Sequence, residues 1–185
     1  MSEYEYLEGK RILIVDDEPD VLESLEDLLS MCEVTKASNF QEAKAYLQSQ
    51  YFDVAVLDIM GVDGLQLLAE AVQRQIPTVM LTAHALTPEA LKESIQLGAV
   101  SFLPKEMMAE LDTYLADVVT HSEKMVWKNL LGKLSEYFDR QFGADWKERD
   151  EFFKIDPEPH LMGNLDHYNH FPGVQMWWRA APNVK

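Results

Sequence analysis

The stretch ILIVDDEPD, Ile12 to Asp20, runs four apolar residues straight into Asp16, Asp17 and Glu18, and then into Pro19 and an amphipathic pattern. The apolar run has the length and composition of a buried strand, and Pro19 suits the first turn of a helix. The three carboxylates therefore stand at the C-terminal end of a strand. Like charges at contact distance repel, and buried without partners they cost stability. Something elsewhere in the chain must neutralise them.

Working outward, the same alternation repeats. RILIV (11–15), EVTKA (33–37), VAVLD (54–58), TVMLT (78–82) and AVSFL (99–103) read as short strands. Between them lie helical patterns over 20–31, 39–50, 64–75 and 87–98, and a further helix starts near Lys105. Asn39 or Ser38 is a possible cap for the second. Thr87 caps the fourth, with Pro88 at its first position and Gly98 as its stop. Five strand–helix pairs in about 120 residues predict an α/β fold with a doubly wound, five-stranded parallel sheet and helices on both faces.

In such a fold, ligands bind at the carboxyl ends of the strands, where strand order reverses. Asp16 and Asp17 follow the first strand, Asp58 ends the third, Thr82 ends the fourth and Lys105 follows the fifth by two residues. All go to one rim. Taken singly, an aspartate at a strand end is most often a cap or turn residue. Taken together, three carboxylates suit a hard divalent cation, and Mg²⁺ matches an all-oxygen set. A hydroxyl and an ammonium beside them suit a transferring phosphoryl group.

Composition narrows the classes further. The chain has 185 residues, 47% of them apolar, enough for one core and a small appendage. Its formal charge of −16 is uneven. Residues 1–120 hold 22 acidic and 7 basic side chains, and residues 121–185 hold 10 and 9. Neither half is a basic module, which weighs against nucleic-acid binding. The single cysteine, Cys32, excludes an internal disulfide and a zinc site built on paired cysteines. MSEYEYLEGK is acidic without an apolar stretch, and no apolar run approaches bilayer length. The expectation is a cytoplasmic protein.

These motifs resemble the receiver domain of two-component response regulators. ILIVDDEPD resembles its acidic-pair motif, VAVLDIM its phosphoacceptor strand, VMLTAHA its switch-threonine segment and GAVSFLPK its ending, over about residues 10–120. The resemblance implies a flavodoxin-like receiver fold in which Asp58 accepts a phosphoryl group from a sensor histidine kinase or a phosphotransfer protein. It implies that Asp16, Asp17, Asp58 and the backbone carbonyl of Met60 hold Mg²⁺. Thr82 would hydrogen-bond the phosphoryl group, Lys105 would pair with it, and Phe102 would be the aromatic that turns inward as Thr82 moves. Such a domain catalyses its own phosphorylation and dephosphorylation and signals by protein–protein contact, typically in a bacterial setting. DIMGVDG departs from the family by lacking a proline and about two loop residues. His84, two residues after Thr82, reads as a solvent-facing loop residue; the other reading has it act on the attacking water.

Residues 121–185 form a C-terminal extension outside this likeness, helical to about 142 and then irregular. The pattern from Glu106 to Phe142 reads as one very long helix or as two with a break near 120–122. Val126, Leu130, Leu134 and Phe138 form an apolar stripe, widened by Trp127 and Leu131. That stripe and the terminal Phe171, Met176, Trp177 and Trp178 predict a partner surface, with a homodimer through the long helix slightly preferred over a compact monomer. His160, His167 and His170, with Asp166, read as an irregular polar segment rather than a metal site. Alternative readings are an unrecognised small effector, either an enzyme regulator or a nucleic-acid binder, and a receiver intermediate in a phosphorelay.

Overall fold

A computed structural model of the chain describes residues 3–83, 87–121, 123–149 and 153, without the side chains of 3, 4, 123–125, 127–129 and 131–133. His84, the histidines at 160, 167 and 170, Asp166 and the aromatic terminus lie outside the described residues, as do the side chains of Trp127 and Leu131.

Five strands make one parallel sheet: β1 (Arg11–Val15), β2 (Glu33–Ala37), β3 (Val54–Asp58), β4 (Thr78–Thr82) and β5 (Ser101–Pro104). Their order is β2-β1-β3-β4-β5. The first crossover runs one way along the sheet and the next three run the other way. Right-handed connections therefore put α2 (Pro19–Leu28) on one face and α3 (Phe40–Ser49), α4 (Gly64–Gln73) and α5 (Pro88–Leu97) on the other. β3 and β4 are buried along their whole length, as their unbroken apolar runs predict.

The caps read from the sequence bound α3 and α5, whereas α2 stops at Leu28 and α4 at Gln73, short of the expected ends at 31 and 75. Asn39, not Ser38, is the cap of α3: its side chain accepts from the Glu42 amide at 3.0 Å, and the Glu42 carboxylate reaches back to the Ser38 amide at 3.0 Å. Thr87 accepts from the Ala90 amide at 3.2 Å, and Gly98 closes α5 at φ 99°, a left-handed conformation that favours glycine. Two features lie outside the sequence reading. A short helix, α1 (Glu3–Leu7), precedes β1 and packs on α6 (Leu111–Thr120), with Leu7 fully buried. β5 is followed by a 3-10 turn over Lys105–Glu110 before α6 begins.

The long helical pattern is broken. His121 is extended (φ −114°, ψ 161°), and a new helix, α7 (Glu123–Phe142), folds back against β5 and α6. Val126, Leu130, Leu134 and Phe138 are all buried within the chain. These four residues of the stripe expected to face a second copy are therefore covered by the chain's own packing. Phe138 meets Trp146 of α8 (Trp146–Arg149) edge to face at 5.5 Å, and Phe153 meets Trp146 edge to face at 4.8 Å. Among the described residues, no helix is long and apolar enough to cross a membrane.

Candidate functional site

Strand register brings the acidic residues together. β1 and β3 are neighbours with Val15 opposite Leu57, so the next residues along each chain, Asp16 and Asp58, come side by side. This is also where strand order reverses, the place where open parallel sheets form a crevice. Asp17, one residue on, leaves the sheet and is exposed. Oxygens of Asp16, Asp17 and Asp58 all lie within 4.8 Å of one another.

One ammonium answers this charge. Lys105 Nζ lies 2.7 Å from Asp16 Oδ2, 2.9 Å from Glu18 Oε1 and 3.2 Å from Asp58 Oδ1. Three carboxylates around one half-buried cation leave an anionic excess even before Asp17 is added. Burial pushes the Asp16 carboxyl above the ordinary carboxylate range, against the pull of Lys105 and of the Glu18 amide. Burial alone would lower the Lys105 ammonium, but the carboxylates of Asp16, Glu18 and Asp58 around it together raise it well above its usual value. Lys105 is therefore a fixed positive charge at any working pH.

Asp58 is held in one orientation. Its Oδ2 accepts from the backbone amides of Gly61 at 2.8 Å and Met60 at 3.2 Å, and its Oδ1 faces Lys105. The loop that makes these bonds is the short one, and glycine is what lets it close. A Cβ on Gly61 would stand 1.8 Å from Asp17 Oδ1, and a Cβ on Gly64 would stand 2.0 Å from the Asp58 carbonyl oxygen. Asp63, just before α4, takes a left-handed φ of 52°. The missing proline and the two missing residues are thus absorbed by close backbone approach at two glycines.

The remaining residues of the expected site lie on the same rim with different partners. Thr82 is buried at the end of β4, paired in register with Pro104, and its hydroxyl donates to the Ala83 carbonyl at 3.1 Å. Met60 engages Asp58 through its amide, and the residue is 72% exposed. Phe102 is fully buried in β5 opposite Met80. Glu18 is the residue that the sequence reading left without a role: no signal in the local pattern announces that its side chain reaches Lys105.

A divalent cation fits this donor set. Asp16 Oδ2 is buried and, among the described residues, has no hydrogen-bond donor; Lys105 comes to ion-pair distance but off the hydrogen-bond direction. A buried carboxylate oxygen with a free lone pair, beside two further carboxylates, is what a hard oxygen-seeking ion needs.

Comparison with known proteins agrees with this geometry. The family model of the response regulator receiver domain matches residues 12–116. The chain belongs to the response regulator receiver family. It is 34% identical over 129 residues to the two-component response regulator ARR18 of Arabidopsis thaliana, covering 66% of this chain and 20% of that protein. It is 36% identical over 108 residues to the positive alginate biosynthesis regulatory protein of Pseudomonas aeruginosa, covering 54% of this chain and 42% of that one. This receiver-family chain thus spans less than half the length of these curated relatives, and they include plant as well as bacterial proteins. Among solved structures it is similar to the chemotaxis response regulator CheY4 of Vibrio cholerae, with 27% identity and a TM-score of 0.52 over 60% of this chain and 98% of that one. A response regulator from Chloroflexus aurantiacus gives 28% identity and a TM-score of 0.54, over the same shares of the two chains.

Proposed function

We propose that the chain is a phosphorylation-controlled switch whose phosphoacceptor is Asp58. Residues 1–120 act as the receiver, and residues 121–185 are an extension through which, with the receiver surface, the state of Asp58 is passed to a protein partner. The observation that carries the reading is the double anchoring of Asp58: two amides on one carboxylate oxygen, Lys105 beside the other. A nucleophile held this way meets an incoming phosphorus atom in one orientation, so part of the entropic cost of transfer is already met in the fold.

A carboxylate oxygen of Asp58 attacks the phosphorus of a phosphohistidine on a kinase or phosphotransfer protein. The P–N bond breaks, its electron pair stays on the imidazole, which takes up a proton, and an aspartyl phosphate results. Lys105 offsets charge on the phosphoryl oxygens. The Thr82 hydroxyl, by leaving the Ala83 carbonyl, can donate to one of them. Asp16, Asp17 and Asp58, with the Met60 carbonyl, are the groups that would hold Mg²⁺, which when bound supplies further positive charge to the same oxygens. Hydrolysis returns the free carboxylate: water attacks phosphorus, the P–O bond to the acyl group breaks and inorganic phosphate leaves. The acidic character of residues 1–120 favours a basic or neutral docking face on the phosphodonor.

Incubation with Mg²⁺ and acetyl phosphate tests the assignment. The protein should acquire one acid-stable, base-labile phosphoryl group, and Asp58→Asn should acquire none. Undiminished labelling in the Asp58→Asn protein would overturn the assignment.

A further inference from the structure

Glu18 occupies a position for which a glutamate is a poor choice. It is the N-cap of α2, with an extended backbone (φ −90°, ψ 111°). Shorter side chains such as Asp, Asn and Ser are preferred there because they turn back onto the helix's own amides. Glu18 makes no such bond. Its carboxylate crosses instead to the end of β5, where it accepts from Lys105 Nζ at 2.9 Å. Its backbone amide donates to Asp16 Oδ1 at 3.0 Å. One residue thus holds both the buried carboxylate and the half-buried ammonium, while its own side chain is 62% exposed.

An ammonium has three hydrogens. Lys105 faces three carboxylates, and of these Asp58 is the most distant. Asp16 is buried and tied to the Glu18 amide, so it cannot withdraw. Glu18 can, because water is available to its carboxylate. We propose that Glu18 is a positioning residue for phosphoryl transfer: it draws Lys105 back from Asp58, and an incoming phosphoryl group must displace its carboxylate before the ammonium is free to pair with that group. The proposal rests on Asp58 as the phosphoacceptor. Its consequence is a delay on transfer that is set by one exposed ion pair. Such pairs are weak, so removing this one should speed transfer by about two- to fivefold and not by orders of magnitude.

Two substitutions separate positioning from simple charge. Glu18→Gln removes the carboxylate. Glu18→Asp keeps the charge but is too short to reach Lys105, and at an N-cap it turns back onto its own helix. With acetyl phosphate and Mg²⁺, both variants should be phosphorylated about two- to fivefold faster than the wild type. If Glu18→Asp instead behaves as the wild type while Glu18→Gln is faster, general repulsion of the anionic donor is the cause and the proposal fails. Unchanged or slower transfer in both also overturns it. A second measurement needs neither phosphate nor metal: by NMR of the lysine-labelled, metal-free protein, the Lys105 ammonium hydrogens should exchange with water faster in both variants than in the wild type. Equal exchange rates overturn the proposal. Labelling of a Glu18→Gln, Asp58→Asn double variant would sink the phosphoacceptor reading, while the NMR comparison still decides whether Glu18 restrains Lys105.

Discussion

Asp53 and Asp58 stand at opposite ends of β3, and the difference between their surroundings separates a structural carboxylate from a reactive one. At the N-terminal end, Asp53 Oδ2 accepts from the Arg11 amide at 2.9 Å and Oδ1 meets Lys10 at 3.3 Å. One carboxylate has one ammonium and one amide, and the charges balance. At the C-terminal end, Asp58 likewise has amides on one oxygen and an ammonium by the other, but it shares that ammonium with Asp16 and Glu18, and Asp17 stands alongside. The donor types are the same at both ends. Only their number relative to the carboxylates differs, and it is the shortfall at the second end that leaves room for a cation and a phosphoryl group.

The sharpest way to break this comparison is to remove each lysine in turn. Lys10→Met should cost at most about 1 kcal/mol, because the pair is partly exposed and the Arg11 amide still satisfies Asp53. Lys105→Met should cost about 3–5 kcal/mol at neutral pH, because it strands two buried carboxylates. The pH dependence has a definite sign. The Asp16 carboxyl already lies above its unfolded value in the presence of Lys105, so its ionised form opposes folding. That penalty is absent below the unfolded value and grows as pH rises through the folded one. The Lys105→Met defect should therefore shrink toward acid and also on addition of Mg²⁺. Denaturant unfolding of both variants at two pH values measures all of this. Equal, small losses for the two lysines would mean that the ends of β3 are not different in the way described.

Removing one carboxylate from each end should move stability in opposite directions. Asp53→Ala leaves the Arg11 amide and Lys10 without their acceptor and should cost about 1–3 kcal/mol. Asp17→Ala takes a charge out of a crowded anionic group, so the metal-free protein should be unchanged or slightly more stable. Its Mg²⁺ affinity, by calorimetric titration, should fall at least tenfold. Loss of stability in Asp17→Ala with Mg²⁺ binding intact would contradict the role given to the C-terminal end.

How much of this was legible beforehand depends on whether the deciding interaction is local. β1 to β4 coincide with their apolar runs, because short strands bounded by charges and turn residues have no other way to bury themselves. The caps Asn39, Thr87 and Gly98 act within a few residues of the helix ends that they stop. The rim also followed from order alone, since a parallel sheet sends every strand's C-terminal end to one side. The rest depended on distance along the chain. The apolar period continues on both sides of His121, and only packing on β5 decides that α7 turns back. α1 is too short to show a period, and its burial comes from contact with α6. Nothing near Glu18 indicates a partner 87 residues away. The short loop reads as a deficit in the sequence, whereas the structure makes Gly61 and Gly64 the means of closing it.

The smallest expected effect belongs to Cys32, at the same end of the sheet as Asp53. Its thiol donates to the Leu7 carbonyl at 3.3 Å. Burial, with a further contribution from the charge of Asp53, pushes the thiol up to about 11 from an ordinary value of 9.0. At pH 8 the folded protein then holds roughly 100-fold less thiolate than the unfolded chain, since each pKa unit is a factor of ten. Reaction with a disulfide reagent at that pH should be slow in buffer and fast in denaturant. The linked stability is fully present below the unfolded value and is lost as pH rises through about 11, so alkaline unfolding should begin in that window. Asp53→Ala sharpens the test: without that charge, thiol reactivity at pH 8 should rise modestly, because burial, the larger cause, remains. Asp17→Ala, at the far end of the sheet, should leave it unchanged. If both substitutions altered Cys32 alike, the two ends would be electrostatically coupled through the core, and the independence assumed in comparing them would be wrong.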